Sequence, residues 1–327
     1  MTAPFRNTVV LALALLLAAI VAGTASAEVL PTDNAAEASV APPPEGRIEL
    51  PPPSADAAPA DKKPAPADDP ALRRKRSAII AGTAAVLLVY GATVWWNDSP
   101  QPFHSKNEGW FGQDTYAGGT DKLGHAFFCY GATRLLTSAF VSIGFDRDRA
   151  LISGALTSFF LLAGVEVVDG FSKKQYGFSK EDFVMDVAGV ALGILMEKAP
   201  SLDALLDFRV LFWPSGDSGK RFADPVSDYS GQTYLLVLKA DGVPAFRNVP
   251  VLKYFELAAG YGTRGYYPVT TEHTRNIYYG VSLNLSRLFG DTVFRDRYRG
   301  GKAQRATDTV LEYLQIPGTT WFQHHRL

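Results

Sequence analysis

The stretch from Thr120 to Gly193 constrains the fold more than any other part of the chain. It is strongly apolar, and Ala150–Val165 carries no charged residue at all. Polar residues interrupt it at helical spacings: Asp121 with His125, Glu166 with Asp169, and Asp182 with Asp186. Ionisable groups in apolar surroundings are costly unless they are paired or functional, so these residues are the candidate site.

The apolar pattern predicts three helices in this stretch, over about 120–143, 148–169 and 180–198. Short connections make neighbouring helices antiparallel. The start of the first, the end of the second and the start of the third then lie at one end of a bundle. We therefore expect one polar cluster, made of Asp121, Lys122, His125, Glu166, Asp169, Asp182 and Asp186.

One stripe of the third helix carries two acids and two glycines. Asp182, Asp186, Gly189 and Gly193 fall within about 60° of each other at helical periodicity. Glycines on such a stripe allow another helix to approach closely. Ser179, three residues before Asp182, is a candidate N-cap.

These motifs together resemble the YfiM-like family of predicted periplasmic proteins with a domain of unknown function. More distantly they are similar to VanZ-like membrane proteins. The resemblance covers about Trp110–Lys198, and Asp186 stands where the family pattern has Asn. It implies a cell-envelope location and no established activity. The matching residues are Asp121, Lys122, His125, Glu166, Asp169, Phe178, Ser179, Asp182, Asp186, Gly189 and Gly193.

Residues 1–27 have the pattern of a secretory signal peptide, with an uncleaved membrane anchor as the alternative. Residues 28–72 are rich in Ala, Pro and Asp, which predicts a disordered linker. No cysteine follows the signal pattern, because the chain's single cysteine is Cys129. That residue lies in an apolar helix and is predicted to be a buried thiol, with no disulfide and no cysteine-based zinc site.

A further helix is predicted over 77–96, a run of membrane-spanning length without charges. The basic residues 73–76 precede it, and the positive-inside rule places them in the cytoplasm and the polar cluster toward the periplasm. A cleaved signal peptide would invert this orientation, and the sequence leaves both open. The segment 103–119 then joins this helix to the next at the cluster end, where aromatic residues and glycines suit a loop folded over a site.

The tail, 201–327, changes character. Alternation predicts strands over 234–239, 253–261 and 276–287, and a short helix over 307–314. With residues 73–200 as the helical part, the predicted fold class is mainly α. It is a hydrophobic antiparallel bundle of about four helices, with a small antiparallel β-sheet or ribbon at the C-terminus.

Three functions remain open at this stage. In a structural or accessory envelope protein, the cluster would be a network that holds helix ends together. In an enzyme acting on an envelope lipid or lipid-linked substrate, His125 would be the acid or base, assisted by Glu166 or Asp169. Lys122, Asp121, Asp182 and Asp186 would then contact the substrate, and a minority variant places a divalent metal among the acids and His125. The third possible function is the binding of a lipid or an antibiotic-like ligand.

Partners follow from charge and pattern. The net charge of −1 gives no basic surface for nucleic acid. Membrane lipid is the expected partner, and the C-terminal β region is a candidate surface for an envelope protein. No motif identifies a cofactor or a particular metal.

Overall fold

The computed structural model describes residues 69–96, 99–173, 176–215, 224–266, 269–295 and 299–327. The predicted signal segment and nearly all of the predicted linker lie outside the described residues. The candidate site and the helical part that surrounds it lie almost entirely within them.

Four long helices lie where the sequence predicts them. They are α1 (Pro70–Val94), α2 (Thr120–Ser142), α3 (Arg147–Asp169) and α4 (Lys180–Lys198). Helix α1 begins earlier than expected because Asp69 caps it, accepting a hydrogen bond from the amide of Ala71, and Pro70 suits the first helical turn. Helix α2 is central and packs along both α3 and α4.

The glycine stripe of α4 does what its spacing predicts. A β-carbon at Gly189 would lie 2.1 Å from the carbonyl oxygen of Ala126, and one at Gly193 would lie 2.9 Å from the β-carbon of Thr133. Real side chains do not fit at such distances. The two glycines therefore allow α4 to contact the backbone of α2 directly, and this contact positions Asp186 beside α2.

In the described part of the chain, the strands form two sheets, and three shorter α-helices follow the four long ones. Their bounds are β1 (Ser105–Lys106), β2 (Phe178–Ser179), α5 (Pro200–Leu205), β3 (Leu206–Phe212), β4 (Gln232–Lys239), β5 (Phe255–Tyr266), β6 (Val269–Leu283), α6 (Leu285–Thr292), α7 (Lys302–Tyr313), β7 (Leu314–Gln315) and β8 (Thr320–Arg326). Strands β1 and β2 form a parallel pair. The larger sheet has the order β7-β3-β4-β5-β6-β8, antiparallel except for the pair β3–β7.

The predicted fold class is wrong. A mixed six-stranded sheet, rather than a small ribbon, accompanies the helices, and its strands β5 and β6 are 12 and 15 residues long. Strand β3 escaped prediction because Asp207 and Arg209 occupy alternate positions that an ordinary buried face would fill with apolar residues. The polar run at the end of β8 hid that strand for the same reason.

The sheet packs against α2 near the polar cluster. The rings of Phe127 and Tyr130 on α2 contact Phe208 on β3, and Phe127 also contacts Tyr234 on β4. At the start of α2, the hydroxyl of Thr120 is hydrogen bonded to a β5 threonine, Thr263, at 2.8 Å. The β region therefore forms one wall around the cluster.

Among the described residues, α1 and α3 are long and apolar enough to cross a membrane by length and composition alone. Buried core helices can meet the same criterion. The finding therefore leaves the predicted membrane span at 77–96 a prediction.

Candidate functional site

The polar residues of three helix ends converge, as antiparallel packing predicts. Nε2 of His125 at the start of α2 lies 3.6 Å from Oε1 of Glu166 at the end of α3. The ammonium of Lys122 lies 2.8 Å from Oδ1 of Asp182 at the start of α4. Within this cluster, two groups with different surroundings can be distinguished.

The first group, the lysine centre, consists of Lys122, Glu108, Asp121 and Asp182. The ammonium lies 2.7 Å from a carboxylate oxygen of Glu108 and 2.7 Å from one of Asp121, in addition to its contact with Asp182. The Lys122 side chain is 0% exposed. The ammonium therefore donates hydrogen bonds to Glu108 and Asp121 and forms an ion pair with Asp182, and its burial among these acids closes it to a ligand.

The lysine centre holds three carboxyl groups around one cation. Burial, with the charge of Asp182, raises the pKa of Glu108 to about 8. Burial likewise raises the pKa of Asp121 to about 6. Burial would also raise the pKa of Asp182, but His125 and Lys122 outweigh it and hold that pKa below its usual value. The centre therefore retains protons on Glu108 and Asp121 more readily than exposed carboxyls do, and Asp182 carries the charge.

The second group, the histidine centre, consists of His125, Glu166 and Asp186. Nδ1 of His125 lies 3.0 Å from Oδ1 of Asp186, which is fully buried and also accepts a long hydrogen bond from the thiol of Cys129 at 3.5 Å. The His125 side chain is 21% exposed. The ring is thus held by a buried acid on one nitrogen and directed toward Glu166 with the other.

Surrounding acids favour the imidazolium form of His125. Burial lowers its pKa, but Asp182, Asp186 and Glu166 together outweigh burial and raise the pKa well above its ordinary value. The other oxygen of Asp186, Oδ2, is buried and has no hydrogen-bond partner among the described residues. The predicted thiol burial is confirmed, since Cys129 is fully buried in α2.

Neighbouring groups fix the acids of α3 and α4. Glu166 accepts a hydrogen bond from the backbone amide of Ser179 at 3.1 Å, which ties the end of α3 to the start of α4. Ser179 caps α4 by accepting from the amide of Asp182 at 3.2 Å, as its position predicts. Asp169 accepts a hydrogen bond from the indole of Trp96 at 2.6 Å, so its carboxylate is tied to the segment that follows α1.

A cavity of about 170 Å³ opens beside the histidine centre. Its walls combine carboxylates with aromatic rings, and the segment 224–229 closes one side. Residues from both parts of the chain line it, among them Trp95, Glu108, Tyr116, Asp121, His125, Glu166, Asp169, Asp182, Tyr229 and Tyr234. The seven sequence-predicted residues thus divide: Lys122 and Asp186 are interior supports, and the other five reach the cavity wall.

Sequence reasoning missed several residues of this cavity. Glu108 lies in the segment 103–119, which the sequence predicts to fold over the site. The same reasoning could therefore have included its carboxylate. Tyr229 and Tyr234 come from the β region, and their side chains reach the cavity only because the sheet packs on α2. No spacing within the sequence signals that contact.

Among the described residues, two sets of side chains have the geometry to hold a metal ion. Ligand atoms of His125, Glu166 and Asp182 lie within 4.8 Å of one another, as do those of Glu108, Asp121 and Asp182. In the second set the ammonium of Lys122 already occupies the space between the carboxylates. Of these two sets, the first has a nitrogen ligand and an open side, so it is the one that fits a divalent cation.

Comparison with known proteins identifies a domain in the middle of the chain. Residues 107–198 match the family model described as "Predicted periplasmic lipoprotein (DUF2279)", a domain of unknown function. The matched residues include both centres and end with α4. No curated protein and no solved structure matches the chain. The match supports a cell-envelope location, and it assigns no activity.

Proposed function

We propose that the histidine centre is an acid–base catalytic site that acts on an envelope lipid or lipid-linked molecule. The observation that carries the proposal is the arrangement of His125. A fully buried acid, Asp186, lies 3.0 Å from one ring nitrogen, and the other nitrogen lies at an open cavity, 3.6 Å from Glu166. A purely structural network would have no need of a cavity at this point.

The chemistry follows from the protonation of this pair. Asp186 accepts a hydrogen bond from Nδ1–H of His125 and fixes the orientation of the ring, so Nε2 carries the proton that can be transferred. The raised pKa of His125 favours the charged form, which makes the residue a proton donor. Glu166 is the neighbouring group that accepts or returns a proton, and Asp169 supports it from the same helix end.

The charge balance restricts the substrate. In the part of the chain that the structure describes, eight carboxyl groups line the cavity or contact its two basic groups, which are Lys122 and His125. They belong to Glu108, Asp121, Glu166, Asp169, Asp182, Asp186, Asp224 and Asp228. An anionic head group would meet repulsion here, and Lys122 is fully buried among acids. Carboxylates alternating with tyrosine and tryptophan rings suit an uncharged hydroxyl-bearing or a cationic amine-bearing head group.

A divalent metal held by His125, Glu166 and Asp182 is the second candidate. The mutual distances within 4.8 Å favour it, and so does the excess of carboxylates that a cation would offset. Such an ion would polarise a substrate oxygen or a bound water. Metal analysis of the purified protein distinguishes it from proton transfer alone.

For location, we infer a YfiM-like, distantly VanZ-like protein held at the membrane with the cluster facing the periplasm. The motif positions support the first part, and the basic residues 73–76 at the opposite end from the cluster support the orientation. A protease-protection assay on intact spheroplasts tests it, because cleavage at a site introduced next to the cluster should require only external protease.

The catalytic proposal is tested with the full-length protein, as wild type and as His125→Gln. Each is incubated with total envelope lipid, and bound and converted lipids are measured by mass spectrometry, alongside metal content. We expect a bound or converted species that depends on His125, with an unchanged free energy of unfolding. If His125→Gln instead unfolds the protein and no lipid species responds to wild type, the structural reading replaces the catalytic one.

A further inference from the structure

The larger sheet has an apolar outer face. Residues directly opposite each other on β4, β5, β6 and β8 form two adjacent rows on that face. The rows are Leu238–Leu257–Val281–Trp321 and Leu236–Ala259–Tyr279–Gln323. Leu257 is 59% exposed and Trp321 is 63% exposed. No charged side chain occurs in either row, and their polar side-chain groups are the hydroxyl of Tyr279 and the amide of Gln323.

The opposite face of the same strands carries buried charges. Arg209 on β3 is paired with Asp207 and, at 2.8 Å, with Glu256 on β5. Lys239 on β4 lies 2.5 Å from Asp207. The four groups balance two positive charges against two negative ones. The same inner face also carries a buried apolar cluster of Leu235, Val237 and Ala258, so the interior is mixed. A sheet that is half exposed to water usually places polar residues on its outer face, whereas here the outer rows are apolar.

Curvature explains how the charged face is enclosed. The guanidinium of Arg209 reaches over β4 to Glu256 on β5, so this ion pair covers β4 on the inner side. Gln315 on β7, at one edge of the sheet, donates hydrogen bonds to Ser282 on β6 at 2.8 Å and to Thr320 on β8 at 2.9 Å. The two edges therefore approach each other. The charged face is concave and sealed, and the apolar face is convex.

We propose that the part of this convex face that α2 leaves uncovered lies against the acyl chains of a lipid bilayer. An outer apolar surface around an interior that holds hydrogen-bonded polar and charged groups is the arrangement that β-structures adopt in lipid. The other uncovered apolar surfaces favour lipid over a protein partner. Helix α3 also exposes Ile152, Leu156 and Phe160 along one face. A lipid bilayer can cover several separate surfaces at the same time, whereas one protein partner covers one surface. This inference is independent of the chemistry proposed for the cavity.

Site-directed spin labelling tests the proposal in the full-length protein. The variants Leu257→Cys and Val281→Cys label the convex face, and Lys302→Cys at the exposed start of α7 is the matched control. The parent protein measures background labelling, which should be low because Cys129 is buried. Each variant is reconstituted into phosphatidylethanolamine–phosphatidylglycerol vesicles, and collisions of the label with oxygen and with a water-soluble nickel complex are compared.

We expect the oxygen-to-nickel ratio at both convex positions to exceed that at Lys302 by about tenfold or more, because a polar complex is excluded from hydrocarbon. A low ratio at both positions, equal to the control, would show that water covers the face and would overturn the proposal. Shielding from both reagents would also overturn it, since that result indicates contact with a protein surface, such as a second copy of the chain or another envelope protein.

Discussion

The lysine centre and the histidine centre share Asp182 as a neighbour and the same helix ends, yet they differ in what surrounds the cation. Lys122 is sealed, with three carboxylates within 2.8 Å of its ammonium. His125 has a fixed partner at one nitrogen and a cavity at the other. The difference indicates that one cluster combines two tasks: the lysine centre stabilises the fold, and the histidine centre has the freedom to exchange protons with a ligand.

The largest expected effect comes from removing the cation of the lysine centre. Lys122→Met leaves three buried carboxyl groups without their partner. A buried charge that loses its partner costs about 3–5 kcal/mol, so the free energy of unfolding should fall by about that amount. Urea unfolding followed by circular dichroism measures it. Lys302→Met, at an exposed position of α7, is the control and should change stability little.

If Lys122→Met proved as stable as the control, the lysine centre would not be a structural core. The division of tasks between the two centres would then be mistaken, and Lys122 would return as a residue that contacts a ligand.

The contact that holds α4 against α2 is tested next. Gly189→Ala would place a methyl group 2.1 Å from the carbonyl oxygen of Ala126, next to His125. The helices must separate, at a cost of about 1–3 kcal/mol as in other overpacked sites. Moving α4 also pulls Asp186 away from His125, so lipid conversion or binding should fall along with stability.

A matched glycine makes this test specific. A β-carbon added at Gly164 on α3 would meet no atom within 4 Å, so Gly164→Ala should leave packing unchanged and add up to about 1 kcal/mol of stability. Equal losses in the two variants would mean that general helix effects, rather than the α2–α4 contact, determine the result.

Much of the helical part and of the polar cluster could be predicted from the sequence. Helix positions followed from apolar runs with caps, and chain direction alone brought Asp121, Glu166 and Asp182 together. The stripe of Gly189 and Gly193 correctly predicted a close helix contact. These signals are local, or they depend only on the antiparallel order of neighbouring helices.

The sheet and half of the cavity could not be predicted in the same way. Periodicity locates a strand only when its inward residues are apolar, and β3 turns Asp207 and Arg209 inward instead. Tyr229 and Tyr234 reach the cavity through long-range packing of the sheet on α2. The convex apolar face likewise becomes visible only when strand register shows which residues lie side by side.

Asp186→Asn separates orientation from stability at the histidine centre. Asparagine keeps the shape and an acceptor for Nδ1 of His125, so we expect the free energy of unfolding to change by less than about 1 kcal/mol. Loss of the negative charge should lower the pKa of His125. The amount of lipid that His125 converts should then fall by about tenfold or more. His125→Ala is the harsher comparison, because it leaves the acids without a partner. Damage to folding from Asp186→Asn equal to that from His125→Ala would favour a metal-ligand role for Asp186.

The last expected effect is the pH dependence of stability at the lysine centre, which is spread over several pH units. The pKa of Glu108 rises from 4.5 to about 8 on folding, and that of Asp121 rises from 3.8 to about 6. At a pH between the unfolded and the folded pKa of each group, the folded state keeps a proton that the unfolded state has lost. The free energy of unfolding should therefore fall as pH rises from about 5 to about 8, by roughly 1 kcal/mol per pH unit for each proton involved.

The raised pKa of His125 also makes stability fall with rising pH above the ordinary histidine value, so the two centres must be separated by mutation. Glu108→Gln should flatten the slope across this range, whereas His125→Gln should flatten it only above about pH 6.5, the ordinary histidine value. Urea unfolding at pH 5, 6, 7 and 8 measures the slopes, and a stability that rises toward pH 8 in the wild type would show that these carboxyls are ionised throughout.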